Sequence, residues 1–218
     1  MALERLLRAF LEKKTFSFVV FSLDSVGPVG ERMREMGIKV IALNLRRGSL
    51  VVALHSFFSQ ISKLQPSQIH GWMYHGNLFA FLAWIMNPKA KLVFNIRQAL
   101  HSLRQEKITT RVAILFNALL SRICNLVIYN TKLGIRHHVK LGFARENSLY
   151  IANGFDSQNL FFSEAKRNAF RRSLNIHENS SVICILARYD PIKGHDIFLQ
   201  AAELLLFDCP DTLFLIVG

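Results

Sequence analysis

The chain has 218 residues, of which 51% are apolar and 19% charged, with a formal net charge of +12. This composition is typical of a folded globular protein and excludes an intrinsically disordered chain. The charge is uneven, because residues 1–150 carry 21 basic against 7 acidic side chains, whereas residues 151–218 carry 6 against 8. A basic first part is compatible with nucleic acid, an anionic membrane surface or an anionic small molecule as its partner.

Nucleic acid is the least supported of these partners, and we predict that none is bound. The chain has no zinc-ligand spacing, no aromatic-rich RNA-binding motif and no arginine-rich tail. The longest stretch without formal charge runs over residues 64–88, and its solid apolar part (78–86) is far shorter than the ~20 residues of a spanning helix. No secretory signal is evident. The three cysteines are few and odd in number, which favours buried thiols in a reducing compartment. We therefore predict a cytoplasmic protein, bound at most peripherally to the inner face of the membrane.

Helical and strand-like patterns alternate along the whole chain, beginning with leucines at helical spacing. Apolar runs between helices, without strict alternation, favour a parallel sheet covered on both faces. The predicted helices are 2–13, 28–36, 50–64, 75–86 and 164–174. The predicted strands are 16–23, 38–43, 68–72, 92–96, 126–129, 149–151, 182–186 and 213–217.

These elements predict an α/β chain with a doubly wound, Rossmann-like first domain and the opening β-α-β of a second one. The change in charge falls at the turn-like segment 151–156, so we predict domains at 1–155 and 156–218. Asn153 and Gly154 are expected to fix the turn, and Asp156 to cap the segment that follows. A doubly wound domain normally opens with a strand and a glycine-rich turn, but this chain begins within a helical pattern.

The connection after strand 182–186 has the strongest chemical signal. Arg188 and Lys193 lie five residues apart between that strand and a helical pattern that opens at residues 193–194. A forked guanidinium, an ammonium and unpaired helix N–H groups can converge there on a phosphate or diphosphate. The alternative interpretation is a surface Arg and Lys around a proline-containing turn.

Several motifs together resemble the GT-B glycosyltransferases of family 4. The resemblance is strongest in the second part of the chain, in NGFD at 153–156, ARYDPIKG at 187–194 and LFLIVG at 213–218. HGWMYHGN at 70–77 and FNIR at 94–97 resemble a bacterial subgroup that builds surface polysaccharides. The resemblance implies two Rossmann-like domains, the first for the acceptor and the second for a nucleotide-sugar donor.

The resemblance also implies an activity: transfer of a sugar, with retention of configuration and without a metal or other cofactor, to a polysaccharide or lipid-linked saccharide. Arg188, Lys193 and Gly194 would bind the donor diphosphate, and the two cations would stabilise charge on the leaving nucleotide. Tyr74, His75 and Asn77 would lie at the rim of the acceptor site. His70 is a further candidate there, whereas Trp72 is expected to pack in the core.

Arg97 departs from the family pattern, in which many members have a histidine at that position. An arginine stays protonated at neutral pH and cannot act as a base, although it can contact an anionic acceptor or the diphosphate. The resemblance also requires an opening strand, later donor-domain strands and a paired-glutamate motif, none of which the sequence contains. We therefore predict a truncated transferase with little activity by itself. The alternatives are a noncatalytic remnant, a module that binds a nucleotide or another anion without chemistry, and a nucleotide-sugar epimerase of the same fold.

Overall fold

The computed structural model describes residues 2–13, 16–46, 48–100, 102–155 and 161–218. Their contacts divide the chain into two units, Met1–Phe155 and Asp156–Gly218. The helices are α1 Ala2–Glu12, α2 Gly27–Glu35, α3 Leu50–Leu64, α4 Met73–Met86, α5 Ile108–Leu120, α6 Lys132–Lys140, α7 Glu164–Ser173 and α8 His195–Asp208. The strands are β1 Val19–Ser22, β2 Lys39–Ala42, β3 Gln68–Trp72, β4 Lys91–Ile96, β5 Leu126–Tyr129, β6 Ser148–Tyr150, β7 Val182–Leu186 and β8 Leu213–Val217.

The predicted α/β class is confirmed, since every strand pair among the described residues is parallel and helices connect the strands. Five elements have the predicted bounds: α3, β3, β5, β7 and β8. The other eight predicted elements differ in their limits, six of them by a single residue at one or both ends and two by more. The strand predicted over 16–23 is shorter, and the helix predicted from His75 begins two residues earlier, at Met73.

In the first unit, the described strands form a four-stranded sheet, β3-β4-β5-β6, and a separate pair, β1-β2. The five residues of β4 after Lys91 are all buried, as expected for an inner parallel strand covered on both faces. One hydrophobic core joins α3, α4 and α5 to this sheet and also takes in Phe21 of β1. This core fixes the carboxyl ends of β3 to β6 along one edge.

A bidentate ion pair joins α1 to α2 in the same unit. Arg32 donates from Nε to Glu4 Oε1 at 2.9 Å and from Nη2 to Glu4 Oε2 at 3.1 Å. The hydrogen bonds from Arg32 lower the pKa of the Glu4 carboxyl to about 2. The pair therefore stays ionised over the whole neutral range.

The second unit consists of α7 followed by the parallel pair β7-β8 with α8 between the two strands. Its buried hydrophobic residues, within the described part, are Ile176 and Ala202. Across both units, the described residues include no helix that is long and apolar enough to cross a membrane.

Candidate functional site

The carboxyl edge of the four-stranded sheet brings together one aromatic and three polar side chains, one from each strand. Trp72 ends β3, Arg97 follows β4, Asn130 follows β5 and Asn153 comes shortly after β6. Ligands of open parallel sheets bind outside the carboxyl ends of the strands. This edge is therefore the candidate site of the first unit.

Arg97 lies at the centre of this edge. Its guanidinium carbon is 4.9 Å from the centre of the Trp72 ring, and its Nη1 donates to Asn153 Oδ1 at 3.0 Å. Its backbone carbonyl accepts a hydrogen bond from Asn130 Nδ2 at 3.4 Å. The guanidinium is thus held by a ring on one side and an amide at its end, an arrangement that fixes its orientation.

Two atoms at this edge are buried and have no hydrogen-bond partner among the described residues: the donor Arg97 Nε and the acceptor Asn130 Oδ1. Burial lowers the pKa of the Arg97 guanidinium from its ordinary value, yet an arginine remains charged at neutral pH. Buried polar atoms without partners are costly, so a ligand that satisfies both gains binding free energy. A hydroxyl group can do both, since it accepts from Arg97 Nε and donates to Asn130 Oδ1, whereas an anion can only accept from Arg97.

Sequence reasoning identified Arg97 but missed the part that the neighbouring residues play. Asn130 was not singled out, Asn153 was expected only to fix a turn, and Trp72 was expected in the core, whereas it is half-buried and stacks on Arg97. A signal was available, because all of these residues lie at or just after carboxyl ends of predicted strands. Asp156, predicted to cap the next segment, lies outside the described residues.

Tyr74 and Asn77 do not lie at the rim of a site, and that prediction was wrong. Tyr74 is 2% exposed and Asn77 is fully buried. Asn77 Nδ2 donates to Asn117 Oδ1 at 2.7 Å, and Asn117 Nδ2 in turn donates to the Tyr74 carbonyl at 2.9 Å. The two asparagine side chains are thus hydrogen-bonded inside the core, to each other and to the Tyr74 carbonyl.

His75, by contrast, is exposed in the first turn of α4. His70 is also exposed, on β3, with its Nε2 3.3 Å from Gln68 Oε1. Both imidazoles are accessible to a ligand. His75 therefore stays a candidate acceptor contact, and His70 a weaker one because Gln68 already engages its ring.

A second buried polar pair joins α4 to α6. His138 is fully buried, with its Nδ1 2.7 Å from the Gly134 carbonyl and its Nε2 2.8 Å from the Tyr74 hydroxyl. The carbonyl can only accept, so Nδ1 carries the proton and Nε2 accepts from the tyrosine. Burial lowers the pKa of His138 below its ordinary value of 6.5 and raises that of Tyr74.

This pair predicts that acid destabilises the first unit. The pKa of His138 is lower in the folded than in the unfolded chain, so its contribution is complete above pH ~6.5 and is lost as the pH falls toward the folded pKa. Between pH 7.5 and 5.5 we expect the wild type to lose about 1 kcal/mol more unfolding free energy than His138→Gln. Urea unfolding followed by tryptophan fluorescence measures this difference. Parallel pH dependences of the two proteins would contradict it.

In the second unit, Arg188 follows β7 and pairs with a nearby carboxylate. Its Nη2 is 3.3 Å from Asp190 Oδ2, and its side chain is 79% exposed. Asp190 also accepts the Ile192 N–H at Oδ1, which anchors the carboxylate in the turn. An ion pair this exposed contributes at most ~1 kcal/mol, so the guanidinium can exchange it for a phosphate.

Lys193 ends the short 3-10 turn Pro191–Lys193, and its side chain is exposed. Gly194 follows with φ +67°, a left-handed conformation that favours glycine, and α8 begins only at His195. The Lys193 and Gly194 N–H groups donate to Asp190 and Pro191 carbonyls within the turn. Gly194 is the N-cap of α8, and its carbonyl accepts a hydrogen bond from the Phe198 N–H. The helix therefore opens at Gly194, within the predicted 193–194, and donors for an anion come from the first turn of α8.

The chain is similar in structure to solved proteins, but its sequence matches no known family profile. No family profile matches the chain, and no curated protein matches it. Anabaena Alr3699/HepE in complex with UDP and glucose matches with a TM-score of 0.73 and 22% identity over 92% of this chain and 53% of that chain. UDP-GlcNAc 2-epimerase from Neisseria meningitidis, bound to UDP-GlcNAc, matches with a TM-score of 0.59 and 15% identity over 99% and 62%.

A second Alr3699/HepE structure, in complex with UDP-glucose, gives a TM-score of 0.68 and 18% identity over 92% of this chain and 61% of that chain. At these identities the likeness establishes the fold: the chain is an α/β protein similar to GT-B Rossmann-like enzymes of UDP-sugars. It spans 53% to 62% of the length of the solved chains that it matches.

Proposed function

We propose that this chain is part of a GT-B glycosyltransferase that uses a UDP-sugar donor and resembles family 4. In this proposal residues 1–155 bind the acceptor, and residues 156–218 belong to the donor domain. The sugar is transferred with retention of configuration to a polysaccharide or lipid-linked saccharide. The observation that carries the proposal is the exposed basic turn after β7, on a fold similar to proteins solved with UDP and UDP-sugars.

The donor diphosphate interacts with Arg188 and Lys193. The guanidinium exchanges Asp190 for phosphate oxygens, and the lysine adds a second positive charge from the end of the turn. Both cations stabilise the negative charge that grows on the UDP leaving group, which accounts for catalysis without a metal. Gly194 allows the chain to turn sharply between the lysine and α8.

The acceptor side is assigned to Arg97 and its neighbours. A saccharide hydroxyl can accept from Arg97 Nε and donate to Asn130 Oδ1, which satisfies both buried atoms. His75, exposed in the first turn of α4, is retained as an acceptor contact.

We place the protein in the cytoplasm, at the inner face of the membrane. Cys124, Cys184 and Cys209 are free thiols, as a reducing compartment favours. Cys124 is buried as predicted, whereas Cys184 and Cys209 are exposed, so the prediction of buried thiols was wrong for these two.

A UDP titration of the purified chain tests the donor site. We expect Arg188→Ala/Lys193→Ala to weaken UDP binding at least a hundredfold, because each charge-assisted hydrogen bond contributes about 1.5–3 kcal/mol. The matched control is Lys166→Ala/Arg172→Ala, which removes the same charge from exposed positions of α7. Calorimetry should give the control the wild-type affinity.

Equal loss in both variants would indicate a general effect of charge and would contradict a site at the turn. A wild-type chain that does not bind UDP at all would favour the noncatalytic remnant and overturn the proposal.

A UDP-sugar epimerase is the second candidate, because the solved structure of that activity matches over 99% of this chain. The two candidates differ in their need for an acceptor. Because the chain alone is predicted to have little activity, the assay measures residual UDP release from UDP-GlcNAc. Release without any saccharide acceptor would favour the epimerase, whereas release that requires the acceptor would favour the transferase.

A further inference from the structure

Helix α5 carries a row of large apolar side chains on its outer face. We call this the α5 apolar face; it extends one turn beyond the helix, and its members are between 47% and 75% exposed. They are Ile108, Val112, Leu115, Phe116, Leu119 and Ile123. At 100° per residue these six positions fall within an arc of about 100°.

The opposite side of α5 is already used by the core. Ala113, Ile114, Asn117 and Ala118 are buried there. The helix is therefore apolar on two sides, and only one of them is covered by the described residues of its unit. Contiguous apolar surface of this kind marks a site of interaction with a partner or a membrane.

The charges around the face indicate which partner it fits. Residues 103–125 contain four basic side chains and a single acidic one, Glu106. Glu106 accepts a hydrogen bond from Gln98, so its charge is partly engaged in the fold. Arg111 and Arg122 are eleven residues apart, three helical turns, and so flank the apolar arc on the same side.

We propose that the α5 apolar face docks onto the surface of an anionic lipid bilayer. The apolar side chains enter the boundary between head groups and acyl chains, while the exposed Lys107 and Arg122 remain at the level of the phosphates. Arg111 donates to the Glu106 and Arg104 backbone carbonyls and contributes only its charge. At 1.5 Å per residue, the 13 residues of α5 measure ~20 Å, too short to span the ~30 Å hydrocarbon core, so the helix lies in the plane of the surface.

The basic side chains around the α5 apolar face disfavour an alternative partner, a second copy of this chain. Pairing two α5 faces would bring two sets of basic side chains together, whereas anionic head groups compensate them. The docking rests on the location at the inner membrane face given in the proposed function, but it depends on no catalytic residue. Vesicle binding and UDP binding can therefore fail separately.

Vesicle flotation of the full chain tests this inference. The vesicles are phosphatidylcholine alone, or phosphatidylcholine with 30% phosphatidylglycerol, at low and high salt. We expect preference for the anionic vesicles and weaker binding at high salt. Leu115→Ser/Phe116→Ser should lower the partition coefficient at least tenfold on the anionic vesicles, because several inserted carbon groups are lost. Lys107→Gln/Arg122→Gln should lower it about thirtyfold, at about 1 kcal/mol per charge, and should reduce the preference for phosphatidylglycerol.

The matched control is Val51→Ser/Val52→Ser, which removes two apolar side chains that are 76% and 66% exposed on α3, outside the α5 apolar face. It should bind vesicles as the wild type does. All substituted α5 positions are exposed, so circular dichroism should give the wild-type spectrum for each variant. Leu119→Gln supplies a second, single-site variant with the same expected direction.

Three results would overturn the inference. They are a wild-type chain that does not bind anionic vesicles, α5 variants that bind as well as the wild type, and an equal loss in the α3 control. Sedimentation without lipid tests the second copy directly. A wild-type dimer that becomes a monomer in Leu115→Ser/Phe116→Ser, with vesicle binding unchanged, would assign the face to self-association instead.

Discussion

Replacing Gly71 by alanine is expected to lower the free energy of unfolding of the first unit by about 3 kcal/mol, because the new methyl group has no space. A Cβ at this position would lie less than 3.0 Å from the Asn77 backbone N and Cα and from its side-chain oxygen. Two of these three atoms are backbone, so α4 itself would have to move away from β3. Strand β3 passes directly into α4, with Met73 at φ +62° and no intervening loop to absorb the shift.

Tryptophan fluorescence in urea measures this loss, since Trp72 and Trp84 are the only tryptophans and both lie in the first unit. Gly76→Ala is the matched control. Gly76 lies in α4, and nothing would come within 4 Å of its Cβ. The control should be neutral or gain up to ~1 kcal/mol, as alanine is the better helix former. Equal effects at the two glycines would contradict the close approach at Gly71.

The fold could be predicted from the sequence wherever an apolar run was bounded by turn residues. Strands 68–72 and 182–186 and helix 50–64 have the predicted bounds for this reason. Their order along the chain then determines the parallel α/β class, because helices between consecutive strands favour right-handed parallel crossovers. Element ends that depend on turn geometry, such as the start of α4, could not be predicted in this way.

The candidate site was predictable only in part. Arg97 directly follows the buried strand β4, and Arg188 lies two residues after the apolar run of β7. Those positions alone indicate the carboxyl edge of a parallel sheet. The sequence did not indicate which side chains in the first turn of α4 face the core. This helix is apolar on nearly all sides, so hydrophobic periodicity does not indicate which face is buried. Tyr74 and Asn77 therefore looked like rim residues, although they are internal.

Asn77→Ala is expected to lower the unfolding free energy by about 3 kcal/mol, because it removes a buried amide from a satisfied network and leaves a cavity. Asn117 Oδ1 would lose the donor at 2.7 Å, and the Asn95 N–H would lose its acceptor at 3.4 Å. The matched control is Asn125→Ala. Asn125 is exposed and accepts the Leu92 N–H at 2.8 Å, but water can replace it, so the cost should be about 1 kcal/mol or less.

A double-mutant cycle separates an internal role of Asn77 from a ligand contact. If Asn77 and Asn117 satisfy each other, the variant that lacks both should cost about 1 kcal/mol less than the sum of the single changes, since the second removal no longer strands a partner. Additive costs would contradict the pairing. A loss below 1 kcal/mol in Asn77→Ala would contradict the internal role and return this residue to the acceptor site. Measuring the unfolding free energies of these variants therefore distinguishes a structural role of Asn77 from a ligand contact, and it requires no substrate.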